Sequence, residues 1–251
     1  MSTRQPRVRV AGEFGHLGTA HPDPYHHRSR TLAVVGALGA VLFDMDGTLV
    51  DSEKVWDVGL AELAAHYGGV LSPTARAAMV GTSMIDSMTI LHEDIAQPWR
   101  DPAASTEWVE ARMGELFAAG LVWRPGAREL LAEVRAAGVP TALVTATRRP
   151  LVEVALTTIG AANFDLVVCG DDLDRTKPHP EPYLAAAAGL GVPIERCVAI
   201  EDSPNGVRSA RAAGAVVVAV PSEVDLSDLA GVTHVTSLAD VDLAFLHELL
   251  T

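Results

Sequence analysis

Two aspartates one residue apart, Asp44 and Asp46, directly follow the apolar run Ala40 to Phe43. Side chains of an extended chain alternate faces, so both carboxylates point one way while Met45 points back into the protein. Like charges held that close repel, and a hard divalent cation such as Mg2+, which takes oxygen ligands and binds phosphates, relieves the repulsion. Gly47 permits a sharp turn, and Thr48 adds a hydroxyl. Three other stretches carry comparable chemistry. Thr145-Ala146-Thr147-Arg148 follows the apolar run Thr141 to Val144, and a hydroxyl with free N–H groups ahead of a helix cradles phosphate. Glu201 and Asp202 follow Val198 to Ile200 and offer oxygen ligands to a hard cation. Lys177 stands in a proline-rich loop. Each also has a plainer reading: Asp and Gly are turn residues, Thr, Glu and Asp cap helices, and a loop lysine usually faces water.

The order of these stretches narrows the choice. Phe43-Asp-Met-Asp-Gly-Thr-Leu-Val-Asp-Ser52 resembles the first motif of the haloacid dehalogenase superfamily, which is mostly phosphatases. Thr145 matches the second motif. Lys177-Pro-x-Pro-x-x-Tyr183 matches the third in the subfamily with helical caps, which includes phosphoglycolate phosphatases and β-phosphoglucomutases. Glu201-Asp-Ser-x-x-Gly206, followed by a helix from Val207 to Ala213 and then Gly214, matches the fourth. The resemblance covers about residues 39 to 240. It implies an α/β fold, a doubly wound parallel-sheet (Rossmann-like) core with an inserted all-helical cap. It also implies Asp44 as nucleophile, Asp46 as acid and base, and Lys177 as the group neutralising the nucleophile and the transferring phosphoryl. Thr145 and the N–H of Ala146 would bind phosphate, with Ser203 and Asn205 supporting it. Mg2+ would be held by Asp44, the carbonyl of Asp46, Asp202, and Glu201 directly or through water. Asp171, Asp172 and Asp174 face solvent, or one of them lies behind the metal ligands.

The elements needed to position these groups are legible. Val55, Val58, Leu60, Leu63 and Ala64 recur at helical spacing and stop at Gly68-Gly69. Ser72-Pro73 starts a second helix, Gly81-Thr82-Ser83 breaks it, and helices follow over Ile85 to Ile95 and Ser105 to Ala119. No strand is expected between Leu49 and Val122. Thereafter strands at Thr141–Val144, Leu166–Cys169, Val198–Ile200 and Ala215–Val220 alternate with helices, with an edge strand over His234 to Thr236. Such alternation means a parallel sheet covered on both faces, with ligands at the strands' carboxyl ends. The organisation expected is a disordered extension over residues 1–35, a core of 36–53 and 122–251, and a helical cap of 54–121. His21, His26 and His27 in the extension lack partners at metal-ligand spacing, which favours a flexible tail.

The cap should set specificity. Sugar-phosphate mutases of this subfamily carry a His after the first motif and basic residues around a cap Gly-x-Ser. Here Trp56 takes the His place, and Val80 and Met84 flank Gly81-Thr82-Ser83, which favours a phosphatase. Trp56, Met84 and Met88 are candidate pocket walls, and His92 and Glu93 candidate leaving-group contacts. The 251-residue chain is 49% hydrophobic with net charge -13, which disfavours nucleic acid and anionic membranes as partners but leaves a phosphate ester open. Cys169 and Cys197 flank apolar runs and read as buried thiols, as in a reducing cytoplasm. Arg28 and Arg30 before Leu32 to Phe43 imitate a signal peptide, but cleavage there would sever the strand bearing Asp44. A small-molecule phosphate ester is the expected partner and a monomer the default. The alternatives are a phosphomutase, or a phospho-accepting signalling protein.

Overall fold

A computed structural model describes residues 37–80 and 82–251. The expected extension over residues 1–35, with its three histidines, lies outside the described residues. Strand β1 (Ala40–Phe43) lies in the middle of a six-stranded sheet with β2 (Thr141–Val144), β3 (Leu166–Val168), β4 (Cys197–Glu201), β5 (Val216–Ala219) and β6 (Thr233–His234). The order is β3-β2-β1-β4-β5-β6 and every pairing is parallel. The reversal at β1 leaves a crevice at the carboxyl ends of β1, β2 and β4, where such sheets bind ligands. The edge strand β6 begins one residue before its expected start and pairs Thr233 with Val218 and His234 with Ala219.

Both faces of the sheet are covered, but unequally. Val41, Phe43, Leu143, Val198 and Ile200 form one apolar layer with the leucines and valines of α5 (Ala127–Ala136) and α6 (Arg149–Ile159). The opposite layer is built of small residues. Ala40, Ala142 and Ala199 pack with Tyr183, Ala186 and Ala187 of α7 (Glu181–Leu190) and Ala210 of α8 (Pro204–Ala213). Alternation along β1 thus sends Val41 and Phe43 to one layer and Ala40 and Leu42 to the other.

Between β1 and α5 stands an all-helical insertion, α1 (Glu53–His66), α2 (Pro73–Met79), α3 (Met84–Asp94) and α4 (Pro102–Ala118). Ser72 and Ser83 cap α2 and α3 by accepting from Ala75 N and Asp86 N. The last of these helices starts earlier than its periodicity suggests. Asp101 accepts from Ala103 N and Pro102 occupies the first turn, so α4 begins three residues before Ser105. Ser105 is instead a buried hydroxyl, 2.8 Å from both Tyr67 Oη and His92 Nε2. His92 is therefore a core residue of the insertion, with its pKa pushed down by burial and by Arg100. Met88, likewise, is wholly buried among the insertion's apolar side chains.

The chain enters and leaves the insertion along paired backbone. Asp51 N donates to Val122 O at 2.8 Å and Arg124 N to Leu49 O at 2.9 Å, forming a short antiparallel bridge at Val50 and Trp123.

The small-residue layer gives a stability prediction. Ala199→Leu adds volume where the sheet meets α7 and α8 and should destabilise by about 1–3 kcal/mol. Urea denaturation should show a lower midpoint, and an unchanged midpoint would mean this layer has room to spare.

Candidate active site

The carboxyl ends of β1, β2 and β4 bring the expected site residues together. Asp44 follows β1 and Thr145 follows β2, while Glu201 ends β4 with Asp202 next. Two glycines make this density possible. A Cβ on Gly47, whose φ is +78°, would stand 1.9 Å from Asp202 Oδ2. A Cβ on Gly206 would stand 1.9 Å from the Glu201 carboxylate. Each carboxylate lies where a side chain would otherwise be. Thr48 Oγ1 donates to Asp202 Oδ1 at 3.3 Å, which gives the first motif a direct hold on the fourth.

Lys177 reaches into the centre with all three ammonium protons engaged. It donates to Asp44 Oδ1 at 2.6 Å, Glu201 Oε1 at 2.6 Å and the Val144 carbonyl at 2.8 Å, so one ammonium ties the ends of three strands. Burial disfavours its charge, but Asp44 and Glu201 more than offset this and hold its pKa above the usual lysine range. Tyr183 Oη donates to the same Glu201 Oε1 at 2.6 Å, and Ser203 Oγ donates to Oε2 at 3.2 Å. Asp44 has the opposite balance. Burial raises its pKa to about 8, Lys177 pulls it down, and Glu201 and Asp46 push it up again. Asp202 is raised as well, by burial first and then by Asp44 and Glu201.

Asp46 is held differently. Its Oδ1 accepts from Ser52 Oγ at 2.6 Å, and its Oδ2 accepts from Thr147 Oγ1 at 2.7 Å and Thr145 Oγ1 at 3.3 Å. Thr145 Oγ1 also accepts from Thr147 N at 3.0 Å. Ala146 is exposed to the cavity, and Gly170 lets its backbone come close, since a Cβ there would lie 2.0 Å from Ala146 O. Ser203 also caps α8 by accepting from Gly206 N at 3.0 Å. Asn205 lines the cavity and accepts from Arg208 Nη1 at 3.1 Å. Asp171 and Asp172 lie away from the site. They accept from Arg149 N and Cys169 N, and Asp172 also pairs with the Arg149 guanidinium; neither they nor the exposed Asp174 line the cavity.

A cavity of about 130 Å³ rises from Asp44, Asp46, Thr145, Lys177, Asp202, Ser203 and Asn205 toward the helical insertion. Trp56 and Met84 line it as expected and Val80 lies beside them; Met88, His92 and Glu93 do not line it. Several lining or supporting groups escaped sequence reasoning. Ser52, Thr147 and Tyr183 lie within the motif strings, but their partners are distant in sequence. Glu53, Arg76, Glu110 and Arg148 carried no local signal beyond charge. Glu53 pairs with Arg76 at 2.6 Å and Glu110 with Arg148 at 2.8 Å.

The donor set fits a hard cation. Asp44, Glu201 and Asp202 each present a carboxylate oxygen within 4.8 Å of the others, all buried, and the raised pKa values of Asp44 and Asp202 show how poorly the pocket tolerates their charges alone. All-oxygen ligation suits Mg2+ rather than a thiophilic metal.

Comparison with known proteins agrees with this geometry. Residues 38–214 match the family model described as haloacid dehalogenase-like hydrolase. The chain is 35% identical over 213 residues to hexitol phosphatase B of Escherichia coli strain K12, covering 84% of this chain and 93% of that protein. It is 34% identical over 201 residues to protein CbbY of Rhodobacter capsulatus, covering 76% and 88%. Among solved structures, CbbY from Rhodobacter sphaeroides in complex with phosphate superposes with a TM-score of 0.75 at 31% identity, over 83% of this chain and 99% of that one. The chain belongs to the haloacid dehalogenase-like hydrolase family and is a hydrolase of phosphoric monoesters.

Proposed function

We propose that the protein is a Mg2+-dependent phosphatase of a small phosphomonoester, working through an aspartyl-phosphate on Asp44. The observation that carries this reading is the 2.6 Å contact between Asp44 and Lys177 at the end of the central strand, with Asp46 two residues on, facing the same cavity. A carboxylate oxygen of Asp44 attacks phosphorus, and the bond from phosphorus to the ester oxygen breaks. Asp46 gives a proton to that oxygen as the alcohol leaves. It then takes a proton from the water that attacks the acyl phosphate, which restores Asp44 and releases phosphate. Lys177, Thr145 and the N–H of Ala146 hold the phosphoryl oxygens, with Ser203 and Asn205 behind them. Asp44, the Asp46 carbonyl, Asp202, and Glu201 directly or through water would hold Mg2+, which would supply positive charge against the phosphoryl oxygens.

Residues 54–121 act as the cap that covers the substrate and excludes water, and the paired backbone at 49–51 and 122–124 is where it would swing. A phosphomutase is disfavoured because Trp56, Val80 and Met84 put apolar surface where that activity needs basic groups to hold a second phosphate. The relatives named hexitol phosphatases point to sugar or sugar-alcohol monophosphates as substrates. Cys169 and Cys197 are both free and buried, which suits the cytoplasm.

Asp44→Asn should reduce phosphate release by about a thousandfold or more, since the nucleophile is lost. It should also abolish acid-stable label from a 32P-ester, and retained labelling would remove Asp44 from this role.

Mg2+ affinity should rise with pH. Because the folded pKa of Asp44 lies above its unfolded value, the folded protein keeps a proton that the unfolded chain loses, and metal-free stability falls between about pH 4 and pH 8. Mg2+ must displace the protons that burial keeps on Asp44 and Asp202, so its dissociation constant should fall as the pH rises toward 8. Thermal shift should show more stabilisation by Mg2+ at pH 8 than at pH 6. A pH-independent shift would mean Asp44 does not bind the metal.

A further inference from the structure

The cavity wall above the phosphate end carries two acid–arginine pairs facing an apolar surface. Glu53, at the start of α1, accepts at Oε2 from Arg76 Nη2 of α2. Glu110, on α4, accepts at Oε2 from Nη1 of Arg148, which follows β2. All four residues line the cavity with Trp56 and Met84. Among the described residues, no hydrogen bond engages Oε1 of either glutamate, so each carboxylate is fixed by an arginine while keeping an acceptor for something else.

Both arginines are already neutralised. Arg76 also bonds Asp57 at 2.5 Å and lies 3.9 Å from Glu223, and Arg148 lies 3.8 Å from Asp171. The two guanidinium groups thus have five carboxylate neighbours between them, of which Glu53 and Glu110 line the cavity. A second anionic group on the substrate would find both guanidinium groups already paired and two carboxylates beside it. A hydroxyl would meet a charged acceptor, among the stronger partners available to it. The indole of Trp56 and the Met84 side chain offer surface for the C–H faces of a carbon chain or ring.

We propose that Glu53 and Glu110 determine specificity, their Oε1 atoms accepting hydrogen bonds from hydroxyls of an uncharged polyhydroxylated leaving group and excluding leaving groups that carry a second anion. This rests on the phosphatase reading and deepens it: the substrate class is the monophosphate of a sugar alcohol or sugar, and bisphosphates and phosphorylated carboxylic acids are rejected.

The test compares kcat/KM for sorbitol 6-phosphate, ethyl phosphate and phosphoglycolate, with Mg2+, in the full chain and in Glu53→Leu, Glu110→Leu and the corresponding Gln variants. The wild type should prefer sorbitol 6-phosphate to both other esters. Each Leu variant should lower the ratio of sorbitol 6-phosphate to ethyl phosphate about tenfold, through KM rather than kcat, and raise that of phosphoglycolate to ethyl phosphate. The Gln variants keep the shape and one acceptor oxygen but lose the charge. They should retain more of the first ratio while still gaining in the second, and they report even where a Leu variant fails to fold. Wild-type preference for phosphoglycolate, or ratios unmoved in the Gln variants, would overturn the proposal and leave the phosphatase standing. No Asp44-dependent turnover of any ester would overturn the phosphatase reading and the proposal with it.

Discussion

The structure depends on the burial of Asp44, Glu201 and Asp202 around one ammonium group. Carboxylates removed from water cost several kcal/mol each unless paired and hydrogen-bonded. Lys177 meets part of that need with bonds to Asp44 and Glu201, and Tyr183 and Ser203 complete the shell of Glu201. What stays uncompensated is visible in the raised pKa values of Asp44 and Asp202. The fold concentrates this charge because parallel strands end together. β1, β2 and β4 deliver Asp44, the Val144 carbonyl and Glu201 to one point, and the glycines at 47 and 206 remove the atoms that would hold them apart. A site so charged when empty is one that a divalent cation and a phosphoryl group stabilise on arrival.

The remaining architecture holds the strand ends in place and covers them. Rigid layers on both faces of the sheet fix the strand ends, the small-residue layer drawing α7 close enough for Tyr183 to reach Glu201. The helical insertion is joined to the core by two adjacent backbone segments, paired by two hydrogen bonds, by the packing of α4 against α6, and by ion pairs such as Arg148 with Glu110. Exposed ion pairs contribute little, so the contact of α4 with α6 carries most of that junction.

The sequence carried most of the core and almost none of the cavity wall. Strand ends were legible because an apolar run, a carboxylate or hydroxyl and a turn residue are neighbours in the chain, as at Phe43–Gly47 and Ile200–Gly206. The helical insertion was legible as four periodic segments, yet periodicity alone misjudged the start of α4, where Asp101 and Pro102 supply the cap. It also could not say which way a helix faces. Met88 and Met84 share one helix, but Met84 lines the cavity and Met88 is core. His92 looked available for chemistry and is instead paired with Ser105, a partner from the next helix. The Glu53–Arg76 and Glu110–Arg148 pairs join residues more than twenty positions apart, and nothing local marks them among the many charges of an acidic chain.

Those pairs complete a division of charge along the cavity. At the floor, Lys177 is matched against the buried carboxylates of Asp44, Glu201 and Asp202, an arrangement that a cation and a phosphoryl group would make more favourable. At the wall, guanidinium groups are present but matched by carboxylates, so they orient acceptors instead of attracting anions. A substrate with one dianionic end and a neutral hydroxylated body suits both ends in a single orientation, phosphate down. Reversing it would place the phosphate against Glu53 and Glu110 and leave the floor carboxylates facing an uncharged chain. The orientation needed for attack on phosphorus therefore follows from electrostatics before any shape is considered, and because the two ends oppose each other over a short distance, discrimination does not require a large cavity.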